Sequence, residues 1–506
     1  MSLARVNGFT LDGVVARRVW VEADIRKGLP AFTVVGLADK AVREARERVR
    51  AAITNAGFVF PDARITISLA PAHLRKVGPG FDLPVAVAIL AASGELGSEV
   101  LADWALAGEL SLNGDVRSIR GVLAIAEGAK RHGIAKLAVP RGRAREAGLV
   151  GGVEAVGVDE LQEVVEILRG TREPAPLPAG EAPASPPVDE PDLSDVRGHN
   201  GLVAALEVAA AGGHNLFLHG PPGTGKTMLA RRLPGLLPPL TPREAIEVTR
   251  LHSIAGLHDG AGLIERRPFR APHHTISASG LVGGGGQPTP GEATLAHHGV
   301  LFLDELSEFT RPALEALRQP LEDGHVTIVR AQRVMVFPTR VTLVAASNPC
   351  PCGRGESACR CSAVDLSRHQ RRLSGPLLDR IDVSVTVARP SAHALSNQTA
   401  PRSAELRPRI LAARDRQTER LADTALTCNA QLTVRLLRER GSVTAAAQAL
   451  LYELHDRNRL SARGHGRILR VARTVADLDG ADEVEVDHIL RAASLRLDDQ
   501  SLELAA

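Results

Sequence analysis

The segment Gly220-Pro-Pro-Gly-Thr-Gly-Lys-Thr227 dictates its own surroundings: an apolar strand must run into it and a helix must leave it. Gly220, Gly223 and Gly225 free the backbone to turn its N–H groups inward, with Pro221, Pro222 and Thr224 completing the wrap. Lys226 then reaches the β- and γ-phosphates of a nucleotide as a compact point charge. Composition strengthens the pattern. The chain holds 55 arginines and six lysines, and Lys226 is the only lysine from residue 137 onward. Arginine's broad planar fork does not fit such a cradle, which accounts for the exception.

A 506-residue chain exceeds a single ordinary core and should divide into about three domains. Hydrophobic residues make up 44% but aromatics only 3%, so the cores rest on Leu, Val, Ile and Ala. The same scarcity leaves few rings for stacking on bases, and any nucleic acid would be held mainly through its phosphates. A net charge of +3, from 61 basic and 58 acidic residues, argues against a protein that coats nucleic acid over its whole surface. The N-terminal Met-Ser-Leu-Ala-Arg-Val lacks the basic-then-apolar pattern of a signal peptide. No run reaches about 18 apolar residues, so a cytoplasmic protein with no membrane partner is expected.

Seven prolines fall within residues 171–192, which read as a semi-rigid extended linker. It separates an N-terminal domain over 1–170 from a nucleotide-binding core over 193–395. A weaker seam near 390–405 introduces a helical region over 396–506. In the core, apolar runs end at the chemistry: His214–His219 leads into the phosphate loop and Met228–Leu233 continues from it as a helix. Gly299–Glu305 and Val341–Asn348 read as two further buried strands. Strands alternating with helices imply a parallel α/β sheet with its ligand at the carboxyl ends of the strands.

Four apolar residues followed by Asp304-Glu305 supply the second half of a nucleoside triphosphatase. Asp304 and Thr227 are the expected Mg²⁺ ligands, and Glu305 the base that orients and deprotonates the attacking water. Asn348 closes a third strand, where its amide positions the same water or, on the blander reading, forms a simple turn with Pro349. Arg380 lies in Leu378-Asp-Arg-Ile-Asp382. It is either a surface cation paired with a neighbouring aspartate or an arginine finger for the γ-phosphate of an adjoining subunit. Arg463, at the start of a late helix, is a candidate phosphate contact from the lid.

The order of these segments carries a resemblance. The phosphate loop is followed by Pro268-Phe-Arg-Ala-Pro-His-His-Thr275, Pro290–Leu306, Asn348-Pro-Cys-Pro-Cys-Gly353, Gly375–Asp382 and Leu460-Ser-Ala-Arg463. Together they resemble the Mg chelatase-like AAA+ ATPases, and more narrowly the YifB/ComM family, associated with bacterial DNA processing and natural transformation. The resemblance implies an α/β AAA+ core with an α-helical lid, a homo-hexameric ring, ATP and Mg²⁺, an insertion near 255–290 and a hairpin before Asn348. The residues support that hairpin independently, because His325–Phe337 is two alternating apolar runs around a basic tip. Arg330 and Arg333 would face the ring's pore and contact DNA phosphates.

Residues 61–140 resemble the proteolytic domain of Lon protease, notably Ala107–Gly114 and Gly133–Pro140, which implies an α+β N-terminal domain. The serine and lysine of that protease correspond here to Gly80 and Leu123, and the nearby Ser118 and Lys130 match neither motif position. A Lon-like scaffold without the Ser/Lys dyad is therefore expected.

Four of the five cysteines fall between residues 350 and 361. Cys350, Cys352, Cys359 and Cys361 could supply four thiolates to one Zn²⁺, although C-x-C pairs depart from the usual C-x₂-C spacing; the alternative is four reduced thiols in an ordered loop. The pairs His273-His274 and His297-His298 invite a metal reading but are read as structural or hydrogen-bonding residues. The leading function is an ATP-driven ring motor on single-stranded or branched DNA, a helicase or branch-migration enzyme in recombination or natural transformation. The rivals are a magnesium chelatase-type ATPase subunit and a scaffold that uses ATP as a switch without moving along DNA.

Overall fold

The computed structural model describes residues 2–177, 191–285, 288–330, 333–354, 359–373, 377–397, 400–457 and 460–496. Its first unit is built on long strands of period-two burial. Strands β1 (Ser2–Asp12) and β2 (Val15–Arg26) pair antiparallel along their whole length, and alternate residues of β2 are buried. With β3 (Ala31–Val35), β4 (Arg64–Ala70), β5 (Trp104–Leu106), β6 (Lys136–Pro140) and β7 (Glu154–Val158) they form a seven-stranded sheet in the order β3-β4-β2-β1-β5-β6-β7. Helix Asp82–Ala92 is apolar on all sides and buried throughout, which fits its position packed on β1 and β2.

The second unit holds the phosphate loop. Strands β8 (Leu216–His219), β9 (Phe269–Arg270), β10 (Val300–Leu303), β13 (Thr342–Ser347) and β14 (Val383–Thr386) make a wholly parallel sheet in the order β9-β10-β13-β8-β14. Every residue of β10 and β13 is buried, as expected of strands covered on both faces. Between β10 and β13 the chain makes the antiparallel hairpin of β11 (His325–Arg330) and β12 (Arg333–Pro338), closed by the pair Arg330–Arg333. Strand β9 falls inside the expected insertion, so residues 255–290 do not all leave the core: Phe269–Arg270 return to it as an edge strand.

One expectation needs correction. The helix after the phosphate loop, expected to run on through Met228–Leu233, is α1 (Lys226–Ala230) only, and a separate short helix follows at Leu233–Leu236. Pro234 has no N–H to donate to Ala230, and its ring crowds that carbonyl, so the first helix cannot continue through it.

The C-terminal region is helical among its described residues. Its helix α3 (Ala462–Asp479) is capped by Ser461, whose side chain accepts from Gly464 N. A buried polar chain ties this region to the sheet: Asp382 accepts from His214 Nδ1 at 3.1 Å, and His214 Nε2 meets Thr474 Oγ1 at 2.8 Å. The N-terminal unit docks on helix α2 (Pro242–Ala255) of the core, where Arg250 pairs with Glu127 and Gly121 N donates to Ser253 O.

Candidate nucleotide site

The phosphate loop leaves the carboxyl end of β8 and is pinned at once, Gly220 N donating to Ser347 O at 3.1 Å. Gly223 (φ 75°) and Gly225 (φ 87°) take left-handed conformations that β-carbon-bearing residues avoid, and nothing lies within 4 Å of a Cβ built on Gly223. The loop is thus open where a phosphate would enter. Thr224 Oγ1 donates to Pro221 O at 2.9 Å and sets the turn.

Lys226 is buried and donates to three oxygens: Gly220 O (2.6 Å), Pro221 O (2.8 Å) and Asn348 Oδ1 (3.1 Å). Burial lowers the pKa of this ammonium, against the opposing pull of Asp304 and Glu305. All three bonded acceptors are neutral, so the charge is not cancelled by a bonded anion. An ammonium has three N–H groups, so an arriving phosphate oxygen must displace one acceptor, and the longest bond is that to Asn348. Thr227 Oγ1 lies 2.7 Å from Asp304 Oδ2, two hard oxygens placed together at the strand end as Mg²⁺ ligation requires. The residues present therefore fit both a phosphate chain and its cation.

Glu305 follows with φ 51°, a left-handed conformation unusual for its residue type, and its own N–H donates to Asp304 Oδ1 at 2.9 Å. The half-exposed Glu305 carboxylate lies within 3.3 Å of His274 Nδ1. Reading the sequence assigned His274 no part in the site. A second residue missed there is His199, buried beside the loop and bonded to the Thr224 backbone, with its pKa lowered by burial. His274 lies in the segment Pro268–Thr275 that carries part of the resemblance, whereas His199 belongs to no such segment. The other pair, His297-His298, closes on Glu247 at 3.3 and 3.0 Å, and His297 Nδ1 accepts from Arg340 N, a hydrogen-bonded network within the fold.

Arg380 and Arg463 lie elsewhere. Asn215, just before β8, donates from Nδ2 to Arg380 O at 2.9 Å, and Asp382 N donates to Asn215 O. Arg380 therefore sits at the amino end of the parallel sheet. The phosphate loop sits at the carboxyl end, five residues along the same strand, or about 17 Å at 3.3 Å per residue. Arg380 pairs with Glu322, and Arg463 Nη1 lies 3.7 Å from Asp379. Arg318, Arg463 and Arg467 crowd Arg380, which, after burial, adds to lowering its pKa. The basic hairpin rises from this same amino edge, its base closed by Thr339 N donating to Gly324 O.

In the N-terminal unit, Leu123 is fully buried, its N–H donating to Glu146, and a Cβ built on Gly80 would lie 3.6 Å from Ile119 Cδ1. No nucleophile occupies either position.

A parallel sheet with an asparagine after its central strand β13, and a phosphate loop and an aspartate after the two strands that flank it, β8 and β10, defines a P-loop ATPase core. Residues 192–395 match the family profile described as magnesium chelatase, subunit ChlI; residues 21–143 match subunit ChlI of Mg-chelatase, and 400–496 the ChlI C-terminal region. The chain is 42% identical over 508 residues to uncharacterised protein YifB of Escherichia coli, covering 99% of this chain and 98% of YifB. It is also 42% identical over 507 residues to competence protein ComM of Haemophilus influenzae, covering 98% of each. A shorter stretch of 151 residues is 28% identical to Lon protease 2 of Bacillus subtilis, 28% of this chain and 27% of that one. The chain belongs to the YifB/ComM family of Mg chelatase-like AAA+ ATPases. Among its described residues no helix is long and apolar enough to cross a membrane.

Proposed function

We propose that the chain is one subunit of an ATP-hydrolysing ring that moves on single-stranded or branched DNA, a helicase or branch-migration motor in recombination or natural transformation. The observation that carries the ring is the placement of Arg380 and Arg463 at the sheet edge opposite their own phosphate loop. Cations so placed serve a nucleotide only if another copy presents its loop to that edge. A closed homo-hexamer satisfies this for every subunit at once.

In this reading Gly220–Thr227 wraps the phosphates of ATP, and Thr227 and Asp304 would hold a Mg²⁺ ion whose charge would offset theirs. Glu305 orients the attacking water and takes its proton, with His274 holding the carboxylate. Asn348 exchanges its bond to Lys226 for one to the nucleotide and so registers occupancy. Arg380 of the adjoining subunit meets the developing charge on the γ-phosphate, with Arg463 beside it. Hairpin β11–β12 rises from the edge that carries Arg380, and its closing residues Arg330 and Arg333 bind the phosphates of DNA. The Lon-like N-terminal domain serves as scaffold.

The test is the ATPase rate with and without single-stranded and forked DNA, with Glu305→Gln as the inactive control. Stimulation by DNA is expected. Replacing both Arg330 and Arg333 by Ala should leave basal hydrolysis intact and reduce the salt slope of DNA binding by about 1 for each phosphate that is no longer neutralised. Hydrolysis indifferent to every form of DNA would refute the motor.

A further inference from the structure

We propose that Cys350, Cys352, Cys359 and Cys361 form a tetrathiolate Zn²⁺ centre that holds Asn348 and the phosphate loop in register. All five cysteines are free thiols. The four sulfurs of the cluster lie within 4.8 Å of one another, Cys350 Sγ 3.3 Å from Cys352 Sγ and Cys352 Sγ 3.9 Å from Cys359 Sγ. Sulfurs about 2.3 Å from a tetrahedral zinc ion stand about 3.8 Å apart, within the spread of the cluster. The C-x-C spacing is accommodated because the chain turns sharply between ligands, Gly353 N donating to Cys350 O at 2.9 Å. Cys352 N donates to Cys361 Sγ at 3.4 Å, the kind of N–H···S contact that orients a thiolate toward a metal. Thiolates select zinc over Mg²⁺, so this centre is chemically distinct from the oxygen site at Thr227 and Asp304.

The position of the cluster gives it a purpose. Asn348 lies two residues before Cys350, and its side chain accepts from Lys226 while its carbonyl accepts from His369 Nε2 at 3.0 Å. On the other side, Gly353 (φ 72°) packs so closely on the phosphate loop that a Cβ there would come 2.9 Å from Pro222 Cδ. One loop thus touches both Asn348 and the phosphate loop. Four thiols bond only weakly to one another. Zinc binding replaces those weak bonds with four Zn–S bonds, releases four thiol protons to water and leaves a centre of charge −2, in a loop that also carries Arg354 and Arg360.

The test begins with zinc measured by elemental analysis on the full-length chain, purified under reducing conditions without chelator. One zinc per chain is expected. The variant with all four cysteines changed to Ser should retain less than about a tenth of that. The wild-type chain stripped of metal and titrated with Co²⁺ should show thiolate-to-cobalt charge transfer and tetrahedral ligand-field absorption, which does not depend on the folding of any variant. Wild-type protein that takes up neither zinc nor cobalt overturns the proposal. For the brace itself, stripping zinc should lower the kcat of ATP hydrolysis about tenfold or more with a smaller change in KM, and restoring zinc should recover it. A stripped chain with unchanged kcat would remove the role at Asn348. Metal content is read without ATP or DNA, so its outcome is separate from that of the motor reading.

Discussion

The two edges of the five-stranded sheet hold opposite kinds of charge site. At the carboxyl edge, Lys226 is buried, Thr227 is bonded to Asp304, and the cation's bonded partners are all neutral oxygens. At the amino edge, Arg318, Arg380, Arg463 and Arg467 gather around two well-exposed carboxylates, Glu322 and Asp379. The carboxylates face solvent although the Arg380 and Arg467 side chains are largely buried, so these anions can be exchanged for a better one. The first edge is built to receive a triphosphate, and the second can give up its present partners for one. In the proposed ring these edges supply the two halves of one hydrolytic site, which within a chain lie a strand's length apart.

The largest effect that follows is at the carboxyl edge. Lys226→Ala should cut ATP hydrolysis by at least about 10³-fold, because no other lysine lies near the loop in sequence and arginine does not fit the cradle. Arg380→Ala should come next, a loss of about 10²–10³-fold with ATP binding retained. Mixing the two inactive variants separates the edges. A site formed by the intact loop of an Arg380→Ala chain and the intact Arg380 of a Lys226→Ala chain is complete, and random equal mixing places these together at about a quarter of sites. Recovery toward a quarter of wild-type turnover is expected, measured as phosphate release. A mixture as inactive as its components would place Arg380's action within its own chain and erase the distinction between the edges.

The sequence exposed one edge far better than the other. The loop, Asp304 and Asn348 are short patterns at strand ends, and local spacing is enough to place them because parallel strands bring their carboxyl ends together. Arg380 was visible only as an arginine before a strand; that it lies at the amino edge depends on Asn215, 165 residues away, clamping its carbonyl. His274 reaches Glu305 across a gap in sequence, and Glu305 adopts a left-handed backbone, which no periodicity reveals. The same limit explains the shortened helix α1, where the apolar pattern ran on to Leu233 although the helix ends at Ala230. At the hairpin, alternation sufficed, since the register of two strands so close in sequence is a local property.

The smallest expected effect lies away from both edges, at the junction of the N-terminal unit with helix α2. Glu146 is fully buried there and accepts from Leu123 N, Ser253 Oγ and Arg143 Nη1, with His258 Nδ1 at 3.4 Å. Burial alone would raise the pKa of Glu146, but the bonds from His258 and Ser253 outweigh it and leave it lowered. Burial likewise opposes the charge on His258, and Glu146 outweighs it, leaving His258 raised. His258 Nε2 faces Gly262 O at 2.7 Å and the neutral ring's Nδ1 accepts from Gly260 N at 3.2 Å, whereas a protonated ring donates from Nδ1 to the carboxylate. The raised His258 stabilises the junction fully below about pH 6.5 and loses that contribution as pH rises through its folded value; the lowered Glu146 contributes above about pH 4.5 and loses it as pH falls. Docking should therefore be firmest between these limits and loosen at pH 8.5, where Arg143 and Ser253 still hold Glu146. Both tryptophans, Trp20 and Trp104, lie in the N-terminal unit, so their fluorescence follows its unfolding in the full chain. His258→Gln should lower the midpoint at pH 6 and change it little at pH 8.5, whereas Glu146→Gln should cost about 1–3 kcal/mol at either pH. Equal effects of His258→Gln at both pH values would mean that the imidazole acts through packing and not through its charge. Basal ATP hydrolysis, set at the other two edges, should stay within about twofold in both variants.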